Sequence, residues 1–295
     1  MDWLMKFPAM DTERLTALKK AIDLGFRDFT RAYGDVFETA LYPVQYFMYR
    51  VEQLLTTSPW PLVILAFAVI AWLASRSWKI TLGVVITLLL IGYFDMWEDT
   101  MKTVAMTVVA TIMAIIFGIP IGILMGRSNR VQSILNPILD VMQTMPSFVY
   151  LIPVVMLLGI GRVPGLIAVM VYAIPPIIRL TNLGIRLVDK DVLEAADAFG
   201  SSNWQRLKNV QMPLALPTIM AGVNQTIMMA LAMVVVASMI GVQGLGLPVL
   251  KAIANQYFTL GIFNGLAIVG IAIIFDRTSQ AYGKRLQKHL EVVHG

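Results

Sequence analysis

The chain has no cysteine and only two histidines, His289 and His294, both close to its C-terminus. The first absence excludes a disulfide framework, thiolate nucleophiles and thiolate metal sites. The second removes the commonest proton shuttle and metal ligand from everything upstream. No Gly-x-x-x-x-Gly-Lys-Ser/Thr occurs, so no phosphate-cradling loop for ATP is encoded. Charge is scarce at 14% of residues, where a soluble globule carries about a quarter. The opening residues mix acids and lysines without an apolar run, so no cleavable secretory signal is expected there.

What is abundant is apolar surface. Hydrophobic residues make up 58% of the chain and the mean hydropathy is +0.74, which places it in a bilayer. A crossing helix needs about 20 apolar residues, fewer when sheltered among others. Seven segments meet that rule: 60–75, 79–94, 101–125, 145–161, 163–182, 218–240 and 261–276. The expected fold is therefore an all-α membrane protein of about seven transmembrane helices. Residues 1–58 contain no spanning run. Their Leu15, Leu18, Ile22, Phe26 and Phe29 recur at helical steps, as in an amphipathic helix on a membrane surface. A solvated helix of no special function fits the same pattern.

The net charge of +5 is distributed at the flanks of spans, not gathered in a patch for nucleic acid. Loops after the first, third and fifth spans, with the tail after the seventh, hold thirteen bases; the opposite loops hold three, Lys102, Arg162 and Lys251. The positive-inside rule then puts the Glu194 loop and C-terminus in the cytoplasm and the N-terminus outside. Seven bases within residues 1–58 run against this, though eight acids match them.

No Asp, Glu, Lys or Arg falls near the middle of a span; Asp140, Arg162, Arg179 and Asp276 sit at ends or in loops. Ion-coupled carriers place ionisable groups at depth, so a proton-coupled carrier is disfavoured. No carboxylate pair or metal-ligand cluster occurs at depth, and no catalytic or metal-binding residue is expected. Thr103, Thr107 and Thr111 lie four apart, and Asn224, Gln225, Thr226, Ser238 and Asn264 are also deep. They serve either inter-helix hydrogen bonding or the lining of a path. Gly118, Gly122 and Gly126 repeat every four residues around Pro120, spacing that lets helix backbones approach, with a hinge as the alternative. Met220, Met228, Met229, Met233 and Met239 crowd the sixth span, suited to a core or to a surface that repacks. Gly241–Pro248 reads as a turn-rich outer loop.

One polar break stands out between the fifth and sixth spans, about residues 184–217. Asp191 with Glu194 three residues on forms a variant capping box that opens a helix over 192–199, with Val192, Ala196 and Phe199 on one face. Gly200 is placed for a left-handed cap. Ser202 with Gln205 starts a second short helix carrying Trp204, Leu207 and Val210, and Pro213 and Pro217 end it before the sixth span. Small alanines, a tight turn and a projecting aromatic make a compact knob for a groove on another protein. A loop folded back on its own helices fits the caps equally.

Glu194-Ala195-Ala196, three residues, Gly200, nine residues, then Val210-x-Met212-Pro213 resembles the EAA signature of bacterial ABC importer permeases. Val210 and Met212 replace the family's Ile and Leu. The resemblance covers about residues 100–277 and implies a five-helix permease core, 99–277, in which the loop 184–217 is a coupling hairpin. Residues 1–58, two accessory spans at 59–98 and a tail at 278–295 complete the chain. Asp191, Glu194, Ala195, Ala196, Gly200, Val210 and Pro213 become candidates for docking a cytoplasmic ATPase. The implied partners are a second permease subunit, that ATPase, which would use ATP while this chain holds no cofactor, and a periplasmic or surface substrate-binding protein. Leu135–Tyr150 and Gly244-Leu-Gly246 look like the quaternary-amine branch, which imports glycine betaine, proline betaine, choline or carnitine in osmoprotection. A quaternary ammonium is held by aromatic faces. Phe148, Tyr150 and Tyr172, with Asn224, are therefore candidates for the translocation path, an interfacial aromatic belt being the other reading. Multi-pass residence in the bacterial cytoplasmic membrane follows. A stand-alone secondary carrier or channel is the alternative.

Overall fold

A computed structural model of the chain describes residues 9–294, with side-chain surroundings through Gln287. Expectations resting on Lys6, Lys288, His289 and His294 lie outside the described side chains. Among the described residues the regular elements are helices. They run α1 (Thr12–Thr57), α2 (Trp60–Ser75), α3 (Trp78–Tyr93), α4 (Trp97–Arg127) and α5 (Asn129–Thr144). A 3-10 turn at Ser147–Tyr150 leads into α6 (Leu151–Leu158), followed by α7 (Arg162–Arg186) and α8 (Lys190–Ala198). Then come α9 (Asn203–Ile240), α10 (Gly246–Asn255) and α11 (Phe258–His294).

Four of these, α4, α7, α9 and α11, are long and apolar enough to cross a membrane unaided. They contain the expected spans 101–125, 163–182, 218–240 and 261–276. The other three expected spans differ from straight crossings. Helices α2 and α3 have 16 residues each. The segment 145–161 is the second limb of a broken span, bent by 111° from α5. Pro146 causes the break: the residue before a proline is pushed out of the helical region, and Met145 is extended, with ψ 131°. The N-terminal segment forms one 46-residue helix that continues through Pro43 and turns 112° into α2.

Helix α7 is the central pillar, and glycines let its neighbours close on it. A Cβ at Gly118, Gly122 or Gly126 of α4 would come within 2.4 Å of Ile177, 2.5 Å of Thr181 or 3.0 Å of Ile185. Both registers rise together by fours, so α4 and α7 run parallel. The four-residue glycine repeat is thus a packing face. On the other side Gly222 of α9 abuts Leu180, and Gly184 of α7 abuts Ala215 and Thr218, an antiparallel pairing. The deep threonines of α4 are core: Thr103, Thr107 and Thr111 are buried. Thr107 Oγ1 donates to the carbonyl four residues earlier.

Polar ties separate the two ends of the bundle. At one end the backbone N–H of Gly161 donates to Ile240 O at 3.0 Å. Arg162 there pairs with Glu52. The segment Gly241–Pro248, expected as an outer loop, is folded into this end. Val242, Leu245 and Gly246 are buried, and Leu245 N–H donates to Thr103 Oγ1 at 2.9 Å. Gly244 is required there: it has φ +130° and its Cβ would sit 2.5 Å from Thr103 Oγ1, so the turn packs tightly on α4. At the other end Arg285 Nη1 donates to Leu73 O at 3.0 Å, and Arg186 reaches across to α4 and α5.

Candidate functional site

The polar break between α7 and α9 is a helical hairpin hung from the basic end of the bundle. Its entry cap differs from the expected one. Asp189, not Asp191, is the N-cap, its Oδ1 accepting from Asp191 N–H at 2.9 Å. Asp191 falls in the first turn, where a carboxylate faces the positive end of the helix dipole, and α8 starts at Lys190. The C-terminal expectation holds in detail. Gly200 has φ +80°, its N–H donates to Asp197 O, and Ser201 N–H donates to Ala196 O. These two bonds together are the Schellman motif, which satisfies the last carbonyls of α8. Ser202 and Gln205 form both halves of a capping box.

The second limb is not a separate helix. Asn203 begins α9, which continues for 38 residues to Ile240. Pro213 sits in the first turn of its regular α part, where its missing N–H costs little, and Pro217 is accommodated inside. The misfit is absorbed just before them, by a π segment at Leu207–Gln211, where each hydrogen bond spans one residue more. Neither proline ends the limb, so the knob and the sixth span form one helix.

Arg206 staples the two limbs through Asp197 of α8 and is itself steadied by Asn203 of its own helix. Leu207 is buried in a cluster with Met125, Leu139, Ile185 and Ala215, which anchors the root. Val192 and Ala196 are half-buried on the inner side, and Val210 and Pro213 are half-buried near the root. Asp191, Glu194, Ala195 and Gly200 are exposed. At the tip Phe199 is 91% and Trp204 66% exposed. Two large apolar side chains on a rigid, doubly capped turn are unusual for a surface that meets only water. Phe199 therefore parts from Val192 and Ala196, with which helical periodicity had grouped it, because it is the C-cap residue.

One side chain at the root of the hairpin was overlooked in the sequence. Arg186, at the end of α7, donates to Asn182 Oδ1 at 2.9 Å, Asn129 Oδ1 at 2.8 Å and Met125 O at 2.8 Å. It binds the ends of α4, α5 and α7 at the base from which the hairpin springs. A last-turn arginine is a signal for a C-terminal carbonyl contact, but not for a neighbouring helix.

The aromatic candidates within the membrane separate. Tyr150 and Tyr172 meet edge to face with ring centroids 5.6 Å apart. Tyr150 is buried and donates its O–H to Met142 O. Phe148 stands apart and is exposed. Asn224 faces α11: its Nδ2 donates to Asp276 Oδ1 at 3.0 Å, and Ser279 Oγ donates to its Oδ1. Among the described residues no group of three or more His, Cys, Asp or Glu could hold a metal ion.

Residues 118–288 match the family described as the binding-protein-dependent transport system inner membrane component. The chain is similar to the glycine betaine/proline betaine transport system permease protein ProW of Escherichia coli (strain K12). Identity is 45% over 295 residues, covering 96% of this chain and 82% of that protein. It is also similar to the glycine betaine/carnitine transport permease protein GbuB of Listeria monocytogenes serotype 1/2a (strain 10403S). There the identity is 48% over 229 residues, covering 77% and 81%. Among solved structures, the MetNI methionine ABC transporter in an inward-facing conformation superposes with a TM-score of 0.58 at 19% identity. That match covers 63% of this chain and 93% of the other and speaks to the fold alone.

Proposed function

The chain belongs to the family of inner membrane components of binding-protein-dependent transport systems, and on that premise we propose that it imports a betaine-type quaternary amine. It is a transport subunit and not an enzyme, it resides in the inner membrane, and it works with a substrate-binding protein and an ATPase. The stand-alone carrier or channel is set aside by this membership. In our reading two copies form the permease, ATP is hydrolysed by the partner alone, and the hairpin end faces the cytoplasm with the N-terminus outside. Glycine betaine is the substrate class we favour, because it occurs in the names of both relatives above. Choline is a weaker candidate, absent from both names.

The observation that carries the mechanism is the continuity of α9 from the exposed Trp204 to Ile240. Glu194, Ala195, Ala196 and Gly200 shape a narrow knob, and Phe199 and Trp204 fill an apolar pocket on the ATPase. When the ATPase closes, displacement of the knob moves α9 as a lever. Its far end leads into the turn at Gly241–Gly246, seated on Thr103 of α4. Closure at one face is thereby transmitted to the opposite face, which is what alternating access requires. The π segment at Leu207–Gln211 is the place where this lever can flex. For a cation that cannot donate hydrogen bonds, the half-buried ring of Tyr172, backed edge to face by the buried Tyr150, is the aromatic face we favour, with Phe148 standing apart.

The test is reconstitution of the chain with its ATPase and binding protein in proteoliposomes. Glycine betaine should stimulate ATP hydrolysis and accumulate inside, with choline and carnitine compared at equal concentration. Uptake by the chain alone under an ion gradient would overturn the proposal.

A further inference from the structure

Helices α3 and α11 lie side by side, but their separation changes along their length. At Gly270 they touch: a Cβ there would be 2.8 Å from Thr87 Cγ2. About one turn nearer the basic end, a Cβ on Gly83 would meet nothing within 4 Å. The helices have parted, leaving a cleft of about 250 Å3. Ile80, Ile273 and Ile274 wall it, Gly83 contributes no side chain to fill it, and Lys79 and Arg277 supply its cationic groups. It lies between apolar helices, so the bilayer has direct access to it.

Charge at that end is one-sided. Lys79 and Arg277 line the cleft, Arg285 reaches Leu73 O of α2 at the same end, and the acid next to Arg277 is Asp276. That carboxylate is already engaged, its Oδ1 accepting from Asn224 at 3.0 Å and Gln280 at 2.6 Å. Arg277 lies 3.9 Å from Asp276 Oδ2, beyond hydrogen-bonding distance, and its side chain is 65% exposed. Among the described residues Lys79 has no ion-pair partner.

We propose that this cleft binds an anionic phospholipid, with its phosphate between Lys79 and Arg277 and one acyl chain along Ile80, Ile273 and Ile274. The complementarity is of two kinds. An apolar slot in a membrane suits a hydrocarbon chain, and bases at the head-group level favour an anionic over a zwitterionic head by about fivefold each. The bound lipid completes the packing between accessory helix α3 and the core at the level where the helices separate.

The full chain, purified in mild detergent, is titrated with palmitoyl-oleoyl phosphatidylglycerol and, separately, with the matching phosphatidylcholine, and bound lipid is read by native mass spectrometry. Phosphatidylglycerol should bind roughly 30-fold tighter. The double variant Lys79→Gln/Arg277→Gln should lose most of that preference while its phosphatidylcholine binding is unchanged. Lys79→Arg/Arg277→Lys should keep the preference, which controls for misfolding. Gly83→Leu, with both charges intact, should weaken both lipids by filling the slot. Glycerol 3-phosphate, a head group without chains, should not compete. Equal binding of the two lipids, retention of the preference by the Gln variant, undiminished binding by Gly83→Leu, or competition by glycerol phosphate would each overturn the site.

Discussion

Arg162, at the start of α7, donates one guanidinium nitrogen to both oxygens of Glu52 on α1, at 2.8 and 2.9 Å. A second nitrogen donates to Gln243 Oε1 at 2.7 Å. One side chain thus joins the long N-terminal helix, the loop closing the broken span and the turn beyond α9. The Glu52 side chain is only 14% exposed and that of Arg162 35%, so the pair is partly shielded from water and less screened by salt than an exposed ion pair.

Removing one partner strands the other charge in that setting. Glu52→Ala should destabilise the purified chain by about 1–3 kcal/mol, read as a lowered thermal midpoint and faster amide exchange in α1. Glu52→Gln should cost less, because an amide still accepts one bond. Glu52→Arg combined with Arg162→Glu should recover part of the loss. If Glu52→Ala melts like the unmodified chain, α1 is not held at this point.

Gly122 separates packing from hinge roles. A Cβ there would lie 2.5 Å from Thr181 Cβ and 2.7 Å from Ile178 O, and a backbone carbonyl cannot swing aside. Gly122→Ala should therefore cost about 1–3 kcal/mol through overpacking, visible as lost yield and a lower midpoint. Gly25→Ala, where a Cβ meets nothing within 4 Å, should be neutral or stabilise α1 by about 0.5–1 kcal/mol. Equal behaviour of the two variants would contradict the close approach of α4 and α7.

The glycine face of α4 was legible because a four-residue repeat defines one side of a helix whatever it meets. Its partners, Ile177, Thr181 and Ile185, were not, since they lie more than fifty residues away. The broken span shows a different loss. Pro146 was visible at the start of the expected span 145–161, but the preceding limb α5 mixes polar and apolar residues, so hydropathy gave no sign that the two form one bent unit. At Gly241–Pro248 the glycines did announce a turn. The apolar Val242 and Leu245 between them carried the burial that the turn reading passed over. The entry cap failed for want of a finer rule: Asp189 and Asp191 are both suitable caps two residues apart, and Glu194 three residues beyond Asp191 favoured the wrong one. Asn224 could not be assigned from its depth, because Asp276 and Ser279 reach it from another helix.

Arg186 tests the root of the hairpin. It makes three hydrogen bonds across three helices, and those made by a charged donor are each of order 1.5–3 kcal/mol. Arg186→Gln should lower stability by about 2 kcal/mol and lower substrate-stimulated ATP hydrolysis in the reconstituted complex. ATPase binding should survive, since the knob itself keeps its caps. Arg186→Lys, with one point charge in place of a planar fork, should fall between the two.

The tip of the hairpin allows folding and docking to be told apart. Phe199 and Trp204 face solvent in the isolated chain, so replacing either with Ala removes little internal packing, and stability should stay within about 0.5 kcal/mol of the original. If they fill a pocket on the ATPase, each is a desolvated aromatic anchor, and its loss should weaken the complex by about 2 kcal/mol or more, roughly thirtyfold in affinity. Gly200→Ala works through a different physical route. Its φ of +80° is strained for any residue with a Cβ, at about 1–2 kcal/mol, so the α8 cap should loosen and both stability and docking should decline together. Co-purification of the ATPase with each variant, set beside its melting curve, reads the two effects at once. Stable Phe199→Ala and Trp204→Ala chains that hold the ATPase as tightly as before would show that the knob docks elsewhere.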